Sequence, residues 1–587
     1  MSIKTLLGAE NPKKPYFFST VKDFENGCFS QIMTKFHEKK LLNYDEKEEE
    51  RKFFEPKYRD LRDPFLLNGM NEAVSRIKQA ILRGEKICVY GDFDADGITS
   101  TVLLLSTIKF FGGKVIFFIP DREKDSHGLK NYVIEKLSKK DICLIVTVDC
   151  GCNDQKEIAF AKKLGIDVIV TDHHDISNAD FPDSAVCVIN PKQKSDFSDA
   201  DYLAGVGVAF KLSVACKDSF CNSVGFSSLR SQTKCKSFVK SLLELVCIGT
   251  IADCVPLVGE NRVLVKLGLQ VLRNSSWKGL WALFSELRLD TKNIDEQDIM
   301  FRVAPILNAA SRVGDVNQVV HLFCREDNFS SSRAQKLITW NDHRKVLTNQ
   351  SLKEGISQID DSKKVQFLFS GNWKIGILGL LASKICEQYH QPTVVCTSRE
   401  DGFVAASCRS VAGISMVDIL QQCGSQLFVY YGGHAGAAGF TCTRANLPKI
   451  REKITHIVSQ MKDCKKRIDI FSELDPSEVS LRFTEVLSRF APFGVGNREP
   501  CFVFHGIEIR DIAKLGKSGD HFKISGISRK FSNCRLNFLA FFGKELVSKL
   551  KKGQQYSLIF KFGTNEFQGR TELQYHLIDA AISPTKF

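Results

Sequence analysis

The chain has 587 residues, 43% of them hydrophobic, and 81 Lys and Arg against 68 Asp and Glu, a formal net charge of +13. That length accommodates roughly three or four domains. No stretch approaches the ~20 apolar residues that cross a bilayer. The opening MSIKTLLGAENPKKPYFF lacks the apolar segment and small-residue cleavage site of a signal peptide. Together these point to a cytoplasmic protein without a membrane partner. The 20 cysteines are scattered singly, with no CxxC pair, so buried free thiols are expected rather than a structural zinc site.

Residues 1 to about 75 are charged and irregular, and the acidic run at 45–52 reads as a solvated helical face. From Lys86 a βα alternation begins. A buried strand is expected over 87–90, an apolar helix over 99–111 and a strand over 114–119. Further strands follow over 142–148 and 167–171, with a helix over 154–163 between them. Such alternation predicts βαβ units and a parallel sheet. Residues 200–322 read mostly as helices, and 331–359 as one connecting helix. A second α/β unit starts at 365–370, with a helix over 377–389 and strands over 392–397 and 403–407. Short strands over 501–504, 521–524, 536–542 and 555–562 read as a small β-barrel. From Cys501 to Phe587 there are 14 Lys and Arg against 7 Asp and Glu, and this basic terminal domain with interleaved Phe and Tyr suits a polyanion. The expected boundaries are an N-terminal extension at 1–75, a parallel-sheet α/β catalytic domain at 76–325, a connecting helix at 326–360, a smaller α/β domain at 361–462 and a β-barrel at 463–587.

Asp92, Asp94 and Asp96 follow the first strand within five residues, flanked by Gly91 and Gly97. Carboxylates so close repel one another unless a cation intervenes. Asp149 ends the third strand, and Asp172-His173-His174 ends the fourth. Asp253 adds a further acid. A lone DxD loop is more often a turn or a cap, and a lone Asp-His-His is as often a satisfied polar cluster. In one parallel sheet, however, strand ends converge on a common crevice. Joint placement there points to a metal-dependent phosphoesterase. Mixed carboxylate and imidazole ligation suits Mn²⁺, whereas an all-oxygen set favours Mg²⁺. Two ions about 3.5–4 Å apart would activate a water and neutralise a phosphate. Downstream, Ser407, Arg409 and Ser410 could hold a phosphate, as could the glycine-rich stretch 431–439 with Gly433 and His434. Neither is specific alone. There is no P-loop, so ATP use is not expected.

These residues, in this order, resemble the DHH phosphoesterase superfamily and, within it, the RecJ exonucleases. The matching pieces are Gly91-Asp-Phe-Asp-Ala-Asp-Gly97, Ile119-Pro-Asp-Arg122, Val148-Asp149, Asp172-His-His174, Asn190-Pro-Lys-Gln193, Leu203 to Ala209 and Gly249 to Pro256. Leu307-Asn-Ala-Ala310 with Arg312, Ser407 to Ser410, Gly432-Gly-His434 and Pro492 to Asn497 complete the set. The resemblance implies a 5′→3′ single-stranded-DNA exonuclease that releases mononucleotides, with roles in DNA repair and recombination. It implies a DHH domain, a DHH-associated domain and a C-terminal OB-fold that grips the strand behind the cut. It implies metal ligation by Asp94, Asp96, Asp149, His173 and Asp253, with His174 beside the scissile phosphate. Arg122, Ser407 and Arg409 would hold the 5′-phosphate end, and Asn308, Arg312 and His434 would line the cleavage site. By the same analogy the protein is a monomer whose partners are a helicase or single-strand-binding protein. The chain departs from the pattern at four places. Tyr90 stands where superfamily pyrophosphatases carry a ligand His, His127 where RecJ often has Tyr, and Lys374 where a His is common. The segment Ile306 to Ser311 lacks an Arg and a Gly common in RecJ. Two other readings compete: a related enzyme for short RNA or cyclic dinucleotides, and a non-catalytic strand-binding scaffold. The basic barrel argues against the first and the complete acidic set against the second.

Overall fold

The computed structural model describes residues 16–17, 46–125, 127–176, 180–194, 196, 198–221, 231–324, 327–462, 464, 466–476, 479–516, 519–528, 534–567 and 570–582. The chain divides into two compact units. The larger runs from Asp45 to Gln460 and includes Gly494–Gly496; the smaller is built on Met461–Phe493 and Asn497–Phe587.

The larger unit opens with helix Glu46–Phe54, over the run read as a helical face, and helix Met70–Arg83, which the sequence pattern leaves unassigned. A parallel sheet follows, made of β1 (Lys86–Gly91), β2 (Lys114–Phe118), β3 (Ile142–Val148), β4 (Asp167–Thr171) and β5 (Cys187–Ile189), in the order β2-β1-β3-β4-β5. All its pairings are parallel. Alternate side chains leave the sheet on opposite faces. Ile87 and Val89 join the main core, while Cys88 and Tyr90 join a second core on the far side. Both faces are therefore covered, which is why the strands are continuously apolar.

Helix α1 (Ala95–Phe110) begins four residues before the start expected at 99. The Asp94 side chain accepts from the N–H groups of Asp96 and Gly97, an N-cap that draws the acidic loop into the first turn. Val102 to Leu105 are all buried, because α1 packs between the sheet and helices α2 (Gly205–Cys221) and α3 (Gln232–Ala252). Helix α4 (Ala304–Val313) leads to the long α5 (Ser330–Ile356).

A second sheet holds β6 (Gln366–Phe369), β7 (Thr393–Ser398), β8 (Phe403–Arg409), β9 (Tyr430–Gly433) and β10 (Ala437–Thr443), ordered β9-β10-β8-β7-β6. Only β6 and β7 pair in parallel. Helix α6 (Ile375–Tyr389) packs on this sheet. Two expectations change here. The strand expected over 403–407 runs on to Arg409, so Ser407 and Arg409 both lie on β8. The glycine-rich stretch 431–439 is a β-hairpin, Gly432 opposite Gly439, not an open phosphate loop.

In the smaller unit β11 (Ile470–Glu473) pairs in parallel with Tyr16–Phe17 on one side and β12 (Cys501–Leu515) on the other. The strands β12, β13 (His521–Ser528), β14 (Cys534–Ala540), β15 (Gln555–Phe567) and β16 (Arg570–Ile582) close a five-stranded barrel. The ring runs β12-β13-β14-β16-β15, and β15 returns to β12. Closure removes exposed sheet edges. Its interior is aromatic: Phe502, Phe504, Phe538 and Phe560 are fully buried, with Phe504 and Phe560 rings 4.4 Å apart. Among the described residues every cysteine is free and most are buried, and no helix is long and apolar enough to cross a membrane.

Candidate active site

The carboxyl ends of β1, β3 and β4 carry the acids and imidazoles, at the crevice where β1 separates β2 from β3. Asp149 follows β3 in a left-handed backbone conformation, φ 59°, which costs a non-glycine residue energy and marks functional sites. Asp96 points into the first turn of α2, where its two oxygens accept from the N–H groups of Gly205 (2.7 Å) and Val206 (2.9 Å). The helix N-terminus thereby stabilises the carboxylate. Two glycines permit this approach. A Cβ at Gly205 would stand 2.7 Å from Asp149 Oδ1, and one at Gly249 would meet Thr99 Oγ1 at 2.4 Å and Asp96 Oδ1 at 2.9 Å.

His173 Nε2 lies 3.1 Å from Asp149 Oδ1, 3.6 Å from Asp253 Oδ2 and 3.9 Å from Asp96 Oδ2. Three groups have ligand atoms within 4.8 Å of one another: Asp149 with His173 and His174, Asp96 with His173 and Asp253, and Asp92 with Asp94 and Asp149. Asp149 Oδ1, His173 Nε2 and Asp253 Oδ2 are buried without a hydrogen bond, while Asp92 Oδ1 faces His127 Nδ1 at 3.1 Å. Polar atoms normally find partners when buried. Atoms that approach to about 3 Å without hydrogen-bond geometry are aimed at a shared point, as ligands of one ion are. The donor set therefore fits divalent cations.

Electrostatics agree. Burial, then repulsion from Asp94, pushes Asp96 up to about 7. Burial, then Asp96 and Asp94, pushes Asp253 up to about 9. Asp149 is raised well above the usual range, by burial and then by Asp96, Asp94, Asp92 and Asp253. Such mutual repulsion is what a cation relieves. Burial and the neighbouring His174 bring His173 down to about 3, so its imidazole is neutral and available as a ligand.

Asp172 plays a different part. Fully buried, it accepts from the N–H groups of His173 (2.7 Å), His174 (3.2 Å) and Cys152 (3.0 Å), and from His174 Nδ1 at 2.8 Å. Burial opposes its ionisation, yet His174 holds it far below the usual carboxylate range. Nδ1 of His174 thus carries its proton toward the ionised Asp172.

The residues expected to hold phosphate gather as a second cluster in the same unit. Arg312 donates to the Gly376 carbonyl at 2.7 Å. Burial, then Arg122, Arg344 and Arg409, lowers Arg312 to about 9. Arg122 lies 4.0 Å over the Phe93 ring and approaches Ser311 Oγ at 3.4 Å. Arg409 donates to Ser407 Oγ at 3.3 Å and Ser383 Oγ at 3.1 Å. Ser410 Oγ and Arg344 Nε are buried without a hydrogen-bond partner. Desolvated guanidinium groups that depress one another are stabilised by an anion.

Other candidates sit elsewhere. Asn308 Oδ1 accepts from Ala95 N at 2.9 Å, so it braces the acidic loop. His434 is on the hairpin, with Nδ1 3.3 Å from Asp175 Oδ2, and Gly433 ends β9 beside it. Asp175 also pairs with Lys192 at 3.0 Å. Sequence reasoning missed Arg344, Asp175 and the contact of His127 with Asp92. Arg344 carries no local signal, being one arginine among the polar positions of a long helix. Asp175 was visible only as the residue after the two histidines.

Comparison with known proteins finds the domains of this architecture. The model of the DHH family, N-terminal domain, matches residues 86–250, that of the DHHA1 domain residues 362–460, and that of the RecJ OB domain residues 470–579. The single-stranded-DNA-specific exonuclease RecJ of Bacillus subtilis (strain 168) is 32% identical over 549 residues, covering 92% of this chain and 67% of that protein. The protein of the same name from Dickeya dadantii (strain 3937) is 30% identical, over 88% of this chain and 91% of its own length. Among solved structures, RecJ in complex with Mn²⁺ from Thermus thermophilus matches with a TM-score of 0.76 at 26% identity, covering 91% of this chain and 74% of that one. Its complex with Mg²⁺ matches with a TM-score of 0.70 at 25% identity, over 91% and 73%.

Proposed function

The chain belongs to the RecJ family, and from that premise we propose that it is a Mn²⁺- or Mg²⁺-dependent single-stranded-DNA exonuclease, working 5′→3′ and releasing mononucleotides in DNA repair and recombination. The observation that carries this is the set of buried, unpartnered ligand atoms on Asp149, His173 and Asp253, in one unit with an arginine cluster. Asp94, Asp96, Asp149, His173 and Asp253 would hold two cations, with Asp92 as a further ligand and Asp149 a shared ligand, since it lies in two of the ligand groups. When bound, the cations supply charge neutralisation and a water nucleophile near neutral pH.

The chain's own groups do the rest. His174, with its Nδ1 proton committed to Asp172, presents Nε2 to the scissile phosphate. Asp172 is a positioning residue. Arg122, Arg312, Ser407, Arg409 and Ser410 take the terminal 5′-phosphate, and so register the chain end one nucleotide from the acids. A guanidinium fork suits a phosphate in geometry as well as charge. Asn308 holds the acidic loop in shape, and His434 with Gly433 closes the substrate face from the hairpin. The barrel binds single-stranded DNA, where stacking of bases on aromatic side chains contributes about 1–3 kcal/mol per base and tolerates any sequence. We place the protein in the cytoplasm as a monomer that cooperates with a helicase or single-strand-binding protein.

The test is Asp149→Ala. Removal of the shared ligand should cut turnover by roughly 10³-fold or more, since the cations contribute several kcal/mol, while binding to a labelled single strand persists. Full cleavage by this variant would exclude Asp149 from the chemistry.

A further inference from the structure

Asp92 is 4% exposed and shares its surroundings with Asp94 and Asp149. A carboxylate so placed needs a partner that fixes which way its oxygens face, since ligating carboxylates are themselves hydrogen-bonded. The end of β1 supplies no imidazole, because Tyr90 leaves the sheet on the opposite face and is buried with Leu129 and Val133. The partner comes from the segment before α-helix Asn131–Ser138: His127 Nδ1 stands 3.1 Å from Asp92 Oδ1.

This segment is pinned rather than loose. Tyr90 Oη donates to the Gly128 carbonyl at 3.1 Å. The Leu129 N–H donates to Asp154 Oδ2 at 2.8 Å, and Lys130 Nζ donates to the His127 carbonyl at 2.7 Å. The His127 ring is set edge-on between Phe93, 6.5 Å away, and His174, 5.1 Å away. Among the described residues His127 belongs to none of the groups whose ligand atoms cluster within 4.8 Å. Its contact is with the outer side of the centre, through Asp92.

We propose that His127 is the positioning residue of Asp92, orienting that carboxylate toward the cation shared with Asp94 and Asp149, and that Tyr90 holds His127 in place through Gly128. The proposal rests on the metal-dependent function put forward above. It makes the two residues one device: a tyrosine on the far face of β1 sets an imidazole on the near side. It also predicts a selective effect, since Asp96 is held independently by the N–H groups of Gly205 and Val206.

The experiment is a calorimetric titration of the metal-stripped full chain with Mn²⁺, comparing wild type, His127→Ala and Tyr90→Phe. Wild type should take up two ions. His127→Ala should weaken one of them by roughly 10- to 100-fold, the range of outer-shell losses, and leave the other within about two-fold. Tyr90→Phe, which removes only a hydroxyl, should weaken the same ion by a smaller factor. It carries the test should the alanine variant fail to fold, as judged by thermal unfolding in chelator. Unchanged titrations in both variants would overturn the proposal, as would equal weakening of both ions. Fewer than two ions in the wild type would instead sink the two-cation account on which it rests.

Discussion

The imidazole of His174 is useful only in one tautomer, and Asp172 selects it. Four donors converge on that carboxylate within the turn after β4, so Asp172 can also take part in folding the turn. Asp172→Asn keeps the shape but replaces one acceptor oxygen by a donor. The His174 ring should then lose its preferred tautomer, and turnover should fall by roughly 10- to 100-fold with little change in strand affinity. Steady-state rates beside binding isotherms would check this; an unchanged rate would return Asp172 to a purely structural part. At this scale much was legible in the sequence. Asp92, Asp94, Asp96, Asp149 and Asp172 each end or closely follow a short apolar run, and a strand end is where a parallel sheet places its chemistry. Partners were not legible. Nothing local says that Asn308 braces Ala95 N, or that Arg344 acts on Arg312, because those interactions join residues far apart in sequence.

At the scale of elements, the acids depend on how closely helices approach them. The N-terminus of α2 donates to Asp96 only because position 205 lacks a Cβ. Gly205→Ala would set a methyl 2.7 Å from Asp149 Oδ1, and α2 must retreat. A cost of about 1–3 kcal/mol is expected from such overpacking, together with loss of most activity at temperatures where the variant remains folded. Denaturant unfolding with activity assays tests this, and a fully active variant would show that the helix contact is dispensable. The strands β1 to β4 and β6 to β8 were read nearly in place from their apolar runs, whereas β5, β9, β10, β11 and β16 were not read and β12 and β15 run well past the expected ends. Boundaries moved where side chains bonded to backbone. Asp94 caps α1 and pulls its start to Ala95, while β9 and β10 pair through Gly432 and Gly439, so a stretch that looked like a loop becomes a hairpin. Glycine content alone cannot separate these outcomes, since it signals close approach in either case.

At the scale of the whole molecule, the acidic centre couples stability to metal and pH. The folded-state values of Asp96, Asp149 and Asp253 lie above those of an unfolded chain. Without metal, the folded protein keeps protons that the unfolded chain has released. From about pH 4 upward these groups therefore subtract stability as pH rises, through about 7 for Asp96 and about 9 for Asp253. Cations compete with those protons and bind better as pH rises. Mn²⁺ should thus raise the unfolding temperature more at about pH 8 than at about pH 5.5, by the mass-action stabilisation of the folded state. Thermal scans with Mn²⁺ or chelator across that range are decisive; a Mn²⁺ shift that is constant or shrinks with pH would contradict the assignment of these acids as ligands.

The acids and the arginine cluster are proposed to work together: the acids would hold the cations that cleavage needs, and the guanidinium groups would count from the 5′ end. Digestion of one single strand labelled at its 5′ or 3′ end, with Mn²⁺, Mg²⁺ or chelator, tests both halves together. The account predicts that the 5′ label appears at once as a mononucleotide, that the 3′ label stays on shortening fragments, and that chelator stops both. Early release of the 3′ label, internal cuts, or cleavage in chelator would contradict it.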